Sequence, residues 1–286
     1  MHRLSQSAHG GRQVTTIQQR DDVSRRRFLE TVAKTGGQSF LFGSLFVNTA
    51  LLRLPQAGAD AKSRAETEIG KGVIYGFVVD TTKCIGCGSC VRACRAENDV
   101  PDGYNRTWVE QYTFYPDGEV FVNSPNGGED GFADPLPTRN HPSGAEQAPM
   151  RGFFVPKLCN HCIDTPCIQV CPVGASFKTD EGVVLVDHEH CVGCGYCVQA
   201  CPFGSRFIDP RTHTAGKCTW CHHRVTKGLL PACVVSCPAD ARIFGNVSDP
   251  ESKISRILAT NRVQVLKSYL GTRPRTRYIG LDSEVI

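Results

Sequence analysis

No run of about 18 or more apolar residues occurs in this sequence, so nothing in it reads as a membrane-spanning helix. Charge of one sign is not in marked excess. The 32 Lys and Arg stand against 28 Asp and Glu, and much of the +4 surplus sits near the front, in Arg20 and Arg25 to Arg27. No basic stripe with interleaved aromatics follows, so the usual footprint of nucleic-acid binding is missing. Missing too are a nucleotide fingerprint, a phosphate-binding Gly loop and a Ser/His/Asp arrangement, which leaves no catalytic constellation to assign. What remains is a 286-residue chain, 40% hydrophobic and 21% charged. That composition is globular, with length enough for one or two domains and a real core.

The sequence is rich in cysteine. Its 16 cysteines fall into four groups of four with none left over. "CIGCGSCVRAC" holds Cys84, Cys87, Cys90 and Cys94, and "CNHCIDTPCIQVCP" holds Cys159, Cys162, Cys167 and Cys171. "CVGCGYCVQACP" holds Cys191, Cys194, Cys197 and Cys201. "CTWCHHRVTKGLLPACVVSCP" holds Cys218, Cys221, Cys233 and Cys237. The first and third groups carry the C-x2-C-x2-C-x3-C run of bacterial ferredoxins. Three thiolates on a short loop wrap three corners of an iron–sulfur cube, while the fourth, at the start of a helix, points to a neighbouring cluster. Gly86 and Gly193 suit a backbone passing close to such a cluster. Pro172, Pro202 and Pro238 follow the fourth cysteine in three groups, and Arg95 stands there in the first. Structural zinc needs two C-x2-C pairs per ion rather than compact runs of four. A disulfide framework suits small secreted domains and leaves the three-residue rhythm unexplained.

The sequence repeats itself. "VVDTTKCIGCGSCVRAC" (78–94) matches "LVDHEHCVGCGYCVQAC" (185–201), and "KLCNHCIDTPCIQVCPVGASF" (157–177) matches "KCTWCHHRVTKGLLPACVVSCPADARIF" (217–244) with a longer loop. The β-branched runs 76–80 and 183–187 predict strands leading into cysteine loops, and "VRACRAE" predicts a short helix. Strand, cysteine loop and helix in alternation predict an α+β, ferredoxin-like architecture built twice. Only nineteen residues separate Cys171 from Cys191, so groups two and three read as one module (157–201). Groups one and four (73–94 and 202–244) would close around it as the second.

The four groups, their order and phrases such as "KCTWCHHRVTKGLLPACVVSCP" resemble the four-cluster electron-transfer subunit of the dimethyl sulfoxide reductase family of molybdopterin enzymes. Tetrathionate, polysulfide and thiosulfate reductase iron–sulfur subunits look nearest. The likeness covers roughly residues 73–286, less an insertion at 95–156. It implies two interleaved modules of βαββαβ type and four [4Fe–4S] clusters. In that family the first three cysteines of a group share a cluster with the last of its partner group. The implied ligand sets are Cys84, Cys87, Cys90 and Cys237; Cys159, Cys162, Cys167 and Cys201; Cys191, Cys194, Cys197 and Cys171; and Cys218, Cys221, Cys233 and Cys94. It also implies a non-catalytic relay between a quinone-binding integral membrane subunit and a molybdopterin catalytic subunit, in anaerobic respiration on a sulfur oxyanion or similar acceptor. A multihaem cytochrome c is a further candidate partner. The alternative is an iron–sulfur subunit of a molybdenum-free quinone–cytochrome or sulfur-metabolism membrane complex.

"SRRRFLE" (24–30) resembles the twin-arginine export consensus, with Glu30 where lysine is common. The apolar stretch behind it is broken by Gly36, Gly37, Gln38 and Asn48, which suits a signal region better than a membrane span. Small-residue sites at 57–61 predict a signal peptide of 1–61 and a periplasmic protein. Twin-arginine export moves folded proteins, so thiolates would cross already ligating their clusters. The insertion, with Trp108, Tyr112, Phe114 and Tyr115, predicts a hairpin and surface loop. Residues 248–260 predict a helix with Asp249 as N-cap and Ile254, Ile257 and Leu258 on one face. The last part, with Arg273, Arg275 and Arg277 alternating, resembles the family's extended docking tail, within a C-terminal segment of 245–286. His161, His222, His223 and Trp220 beside the cysteine groups are expected to support rather than ligate. Lys157, Lys217 and Arg92 are expected near the clusters, favouring their reduced state.

Overall fold

The computed structural model describes residues 72–132, 138–140 and 146–285. The twin-arginine segment and the whole 1–61 region therefore lie outside the described residues, as do 133–137 at the end of the insertion.

Strand β1 (Tyr75–Asp80) comes first, then the first cysteine loop and helix α1 (Ser89–Asn98). β2 (Thr107–Phe114), β3 (Val120–Asn123), the short strands β4 (Arg139–Asn140) and β5 (Glu146–Gln147), and β6 (Arg151–Leu158) follow. The second and third cysteine groups bring α2 (Pro166–Gln169), β7 (Ser176–Lys178), β8 (Val184–Val186) and α3 (Tyr196–Gln199). Then come β9 (Arg206–Ile208), β10 (Ala215–Lys217), α4 (His222–Val225), α5 (Ala232–Val235) and β11 (Arg242–Asn246). Last are α6 (Lys253–Thr260), β12 (Val263–Gln264) and β13 (Thr276–Ile279).

A four-stranded sheet in the order β11-β1-β13-β12 supports the first and fourth cysteine groups. β1 leads into the first group and pairs antiparallel with β11, which leaves the fourth, with Val78 opposite Ile243. α1 lies against α5 in the same way, so the ends of the cysteine-bearing region meet. α2 lies against α3, and the hairpins β7–β8 and β9–β10 flank them. The helices between cysteines are short because each need only turn the backbone from one ligand to the next.

Several expectations change in detail. The helices start near the third cysteine of a group, not at the fourth: Cys94 lies inside α1, while Cys171, Cys201 and Cys237 fall just past α2, α3 and α5. The C-terminal helix starts later than the Asp-Pro signal suggests, because Ser252 is the N-cap and accepts from Ser255 N–H at 3.2 Å. Asp249 instead closes a turn by accepting from Glu251 N–H. Ile254, Ile257 and Leu258 pack with Val78 and Ile243, as the helical face predicts.

The C-terminal tail joins the protein's own sheet. β13 lies between β1 (parallel) and β12 (antiparallel), and Tyr278 is fully buried. The insertion is a three-stranded sheet in the order β3-β2-β6 rather than a lone hairpin. Its aromatics pair within it: Tyr112 stacks on Phe153 at 5.3 Å and Phe114 on Phe153 at 5.8 Å.

Candidate metal centres

All sixteen cysteines are free thiols, and only Cys194 is exposed. Cys84, Cys87, Cys90 and Cys237 line one cavity, with about 330 Å³ of empty space, together with Pro238 and Arg242. Cys171, Cys191, Cys194 and Cys197 line a second of nearly the same size, about 320 Å³. Two further gatherings follow from the charges each thiol meets. Cys162 is faced by Cys159, Cys167 and Cys201. Cys94, inside α1, is faced by Cys218, Cys233 and Cys221. Four thiols standing round a space suit a multinuclear cluster, and among the described residues no three His, Cys, Asp or Glu converge to hold a single ion. The donor chemistry fits [4Fe–4S] clusters, which take four thiolates each.

The gatherings touch in a line. Cys90 acts electrostatically on Cys233, joining the cavity of Cys84 to the group around Cys94. Cys159 acts on Cys218, joining that group to the one around Cys162. Cys167 and Cys197 share one small core with Val184 and Ala215, joining it to the cavity of Cys191.

Burial dominates the thiols' acidity. It pushes Cys162 and Cys218 up to about 12, and Cys84, Cys167 and Cys233 up to about 11, with neighbouring cysteines adding to it. Without metal these groups hold their protons, so loading iron must release them. Cys171 goes the other way. Burial alone would raise it, but the backbone N–H groups of Ser176, Val173, Ala175 and Gly174 outweigh that and favour the thiolate.

The loops that carry the ligands are tightly seated. Gly86 has φ 69°, and a Cβ there would stand 2.6 Å from Phe154 Cε1 on β6. Gly88 has φ 72°, and a Cβ there would run into the carbonyl oxygens of Gly128 and Glu129. The insertion therefore lies over the first cysteine loop. Arg92 ties the two together, donating to the carbonyls of Glu129 and Cys87. Nothing in the sequence of the insertion announced this contact.

His161 is fully buried, stacks on Trp220 at 4.0 Å, and accepts from Val184 N–H through Nδ1 at 2.9 Å. Burial, with Lys217, Arg206 and Arg275 nearby, holds it well below the usual imidazole range, so it is neutral support. His223 pairs with Glu97 at 2.7 Å, away from any thiol. Of the three cations expected near the clusters, Lys157 pairs with Glu110 at 2.6 Å and Arg92 is exposed; only Lys217 is buried among thiols. Two buried arginines escaped the sequence reading. Arg242 faces Cys90, Cys233 and Cys84, and Arg206 faces Cys167, Cys159 and Cys197. The repeat could have revealed them: "CPFGSR" (201–206) and "CPADAR" (237–242) place both at the same offset from a cysteine.

Two family models, each described as a 4Fe-4S dicluster domain, match residues 83–175 and 150–247. The sequence is 38% identical to the tetrathionate reductase iron–sulfur component (its B subunit) of Salmonella typhimurium over 270 residues, covering 93% of this protein and 91% of that one. It is 45% identical to the corresponding tetrathionate reductase component of Archaeoglobus fulgidus over 220 residues (77% and 87%). The equivalent component of polysulfide reductase from Wolinella succinogenes is 37% identical over 204 residues (70% and 91%). Sixteen cysteines in ferredoxin spacing within two dicluster domains account for four [4Fe–4S] clusters. This protein belongs to the family of iron–sulfur subunits that serve reductase complexes by electron transfer and not by catalysis.

Proposed function

We propose that this protein is the periplasmic electron relay of a membrane-associated respiratory reductase. It carries single electrons between a quinone-linked integral membrane subunit and a molybdopterin catalytic subunit that reduces a sulfur oxyanion or a similar acceptor. The linear succession of four thiol gatherings carries this reading. A branched or compact arrangement would suit storage; a line suits transport between two partners.

Four ligand sets belong to this proposal, named in spatial order. The first is Cys84, Cys87, Cys90 and Cys237, and the second Cys94, Cys218, Cys221 and Cys233. The third is Cys159, Cys162, Cys167 and Cys201, and the fourth Cys171, Cys191, Cys194 and Cys197. The two cavity linings and the neighbours of Cys94 and Cys162 support these sets. So does the module arrangement they imply, with 157–201 enclosed by 73–94 and 202–244, for which the β1–β11 pairing speaks. Bound in these sites, the clusters supply one-electron chemistry. The protein's part is to fix their spacing, exclude water and set their potentials.

Both ends of the line open to apolar surface. Ile85 beside the first set is 62% exposed, and Val192 beside the fourth 64%. Such ends suit partner subunits that must approach a terminal cluster closely. Export by the twin-arginine route agrees with the sequence at 24–30 and with a protein that needs its clusters before crossing.

The test is elemental analysis of the complex purified anaerobically with this protein. About sixteen irons per copy, with molybdenum or tungsten, are expected. The same iron with haem and neither heavy metal would sink the molybdopterin partner while leaving the relay standing. For the ligand sets, Cys94→Ser is expected to change the cluster of Cys218, Cys221 and Cys233 and spare that of Cys84, Cys87 and Cys90.

A further inference from the structure

We infer that Arg242, Lys217 and Arg206 are three buried cations, each seated at a joint between neighbouring clusters and each setting the potentials of the two clusters it separates. The inference rests on the ligand sets proposed above and goes beyond them to residues that ligate nothing.

The placement is specific. Arg242 lines the cavity of the first set and also faces Cys233 of the second. Lys217 lies between Cys218 of the second set and Cys159 and Cys167 of the third. Arg206 lies between Cys167 and Cys159 of the third set and Cys197 of the fourth. Three joints thus hold three cations, at 2%, 2% and 5% exposure for Arg242, Lys217 and Arg206.

Hydrogen bonding leaves these groups aimed at the joints. Arg242 Nη2 donates to Thr107 Oγ1 at 2.9 Å, and Arg206 Nη1 donates to Ser176 Oγ at 2.9 Å. Arg242 Nη1 and Arg206 Nε and Nη2 are buried and have no hydrogen-bond partner in the protein. Orphan donors on a buried cation are costly, and cluster sulfur or ligand thiolate is the acceptor within reach. Lys217 Nζ donates to the carbonyls of Val184 and Cys218, which orient the ammonium while leaving its charge uncompensated by any carboxylate partner among the described residues.

The internal repeat is a second, independent observation. Arg206 and Arg242 each follow the fourth cysteine of their group at the same offset, and each opens the strand behind it, β9 or β11. In the second group that offset is Ser176, the residue that accepts from Arg206.

The physics follows from charge. Reduction adds one electron to a cluster, and a nearby buried cation stabilises the more negative state. A cation at a joint acts on both neighbours with similar strength. It therefore raises two potentials together and keeps one step of the line from becoming a deep barrier.

The experiment is an anaerobic redox titration, followed by electron paramagnetic resonance, of the complex bearing Arg242→Gln, Lys217→Gln or Arg206→Gln. One Cys→Ser variant per set identifies each signal. Arg242→Gln should lower the potentials of the first and second clusters, Lys217→Gln the second and third, and Arg206→Gln the third and fourth. Arg242→Lys and Arg206→Lys, which keep the charge, should bring both potentials back towards wild type. Where Arg242→Gln does not assemble, Arg206→Gln and the two lysine variants carry the test. Four assembled clusters with no pairwise fall, or a uniform fall in all four, would overturn the inference. Signals that move in pairs but disagree with the Cys→Ser identities would instead overturn the ligand sets.

Discussion

Gly88 marks the point where the first cysteine loop passes under the insertion, and its backbone is in the left-handed region at φ 72°. Any side chain there meets two penalties. The conformation alone costs an L-residue on the order of 1–3 kcal/mol, and the carbonyls of Gly128 and Glu129 occupy the space. Gly88→Ala is therefore expected to lower the temperature at which visible cluster absorption is lost, while Gly103→Ala, whose Cβ would meet nothing within 4 Å, should change it far less. Equal losses would show that the insertion does not press on this loop. Asp209 is a second decisive residue. The Arg211 side chain, with backbone N–H groups, holds its carboxyl at about 2 instead of 3.8. A depressed folded-state value means stability that is present above about 4 and lost as pH falls toward about 2. The gap in unfolding midpoint between wild type and Asp209→Asn, read by far-UV circular dichroism, should be constant above pH of about 4 and close across that window. A gap that persists down to pH of about 2 would remove the charge from the explanation.

At the scale of elements, the C-terminal helix separates what its sequence states from what its fold decides. Asp249-Pro250 is a sound start signal, and Ser252 is another three residues on. The fold selects Ser252, because its hydroxyl both donates to Asn246 O at 2.7 Å and accepts from Ser255 N–H, tying the helix to the end of β11. Ser252→Ala should then cost about 1 kcal/mol, and Asp249→Ala a fraction of that, measured as amide exchange of residues 254–257. The reverse order would restore the sequence-derived start. The same contrast runs through the rest of the protein. Cysteine groups are local, so their spacing alone reads out the ligands, and β1 and β8 are legible from β-branched runs that lead into them. Arg206 and Arg242 become visible only when distant segments meet, as do the packing of Phe154 on Gly86 and the inclusion of β13 between β1 and β12. A strand near the C-terminus looks like a free tail until its partner strand, nearly 200 residues earlier, is known.

At the scale of the molecule, the clusters are part of the core, and unevenly so. The main core joins Cys90, Cys159, Cys218 and Cys233 to Phe77, Trp220, Phe244 and Tyr278, and aromatic contacts such as Phe77 with Trp220 at 6.2 Å persist without metal. The core between α2 and α3 is far poorer. Its fully buried members are Cys167, Val184, Cys197 and Ala215, so half of them are ligands. Around it stand helices of four residues and two-stranded hairpins, which are marginal alone. Metal binding there is largely folding free energy, whereas the sheet of β1, β11, β12 and β13 has its own apolar support from Val78, Ile243 and Ile254. Anaerobic removal of iron by a chelator should therefore open the molecule in order. Amides of 163–200 should exchange at loop rates while those of β1 and β11 stay protected, read by hydrogen exchange and mass spectrometry. Simultaneous loss of protection throughout would mean that the clusters hold the protein as one cooperative unit. Early loss in β1 and β11 would mean that the apolar sheet depends on the metal more than its side chains indicate.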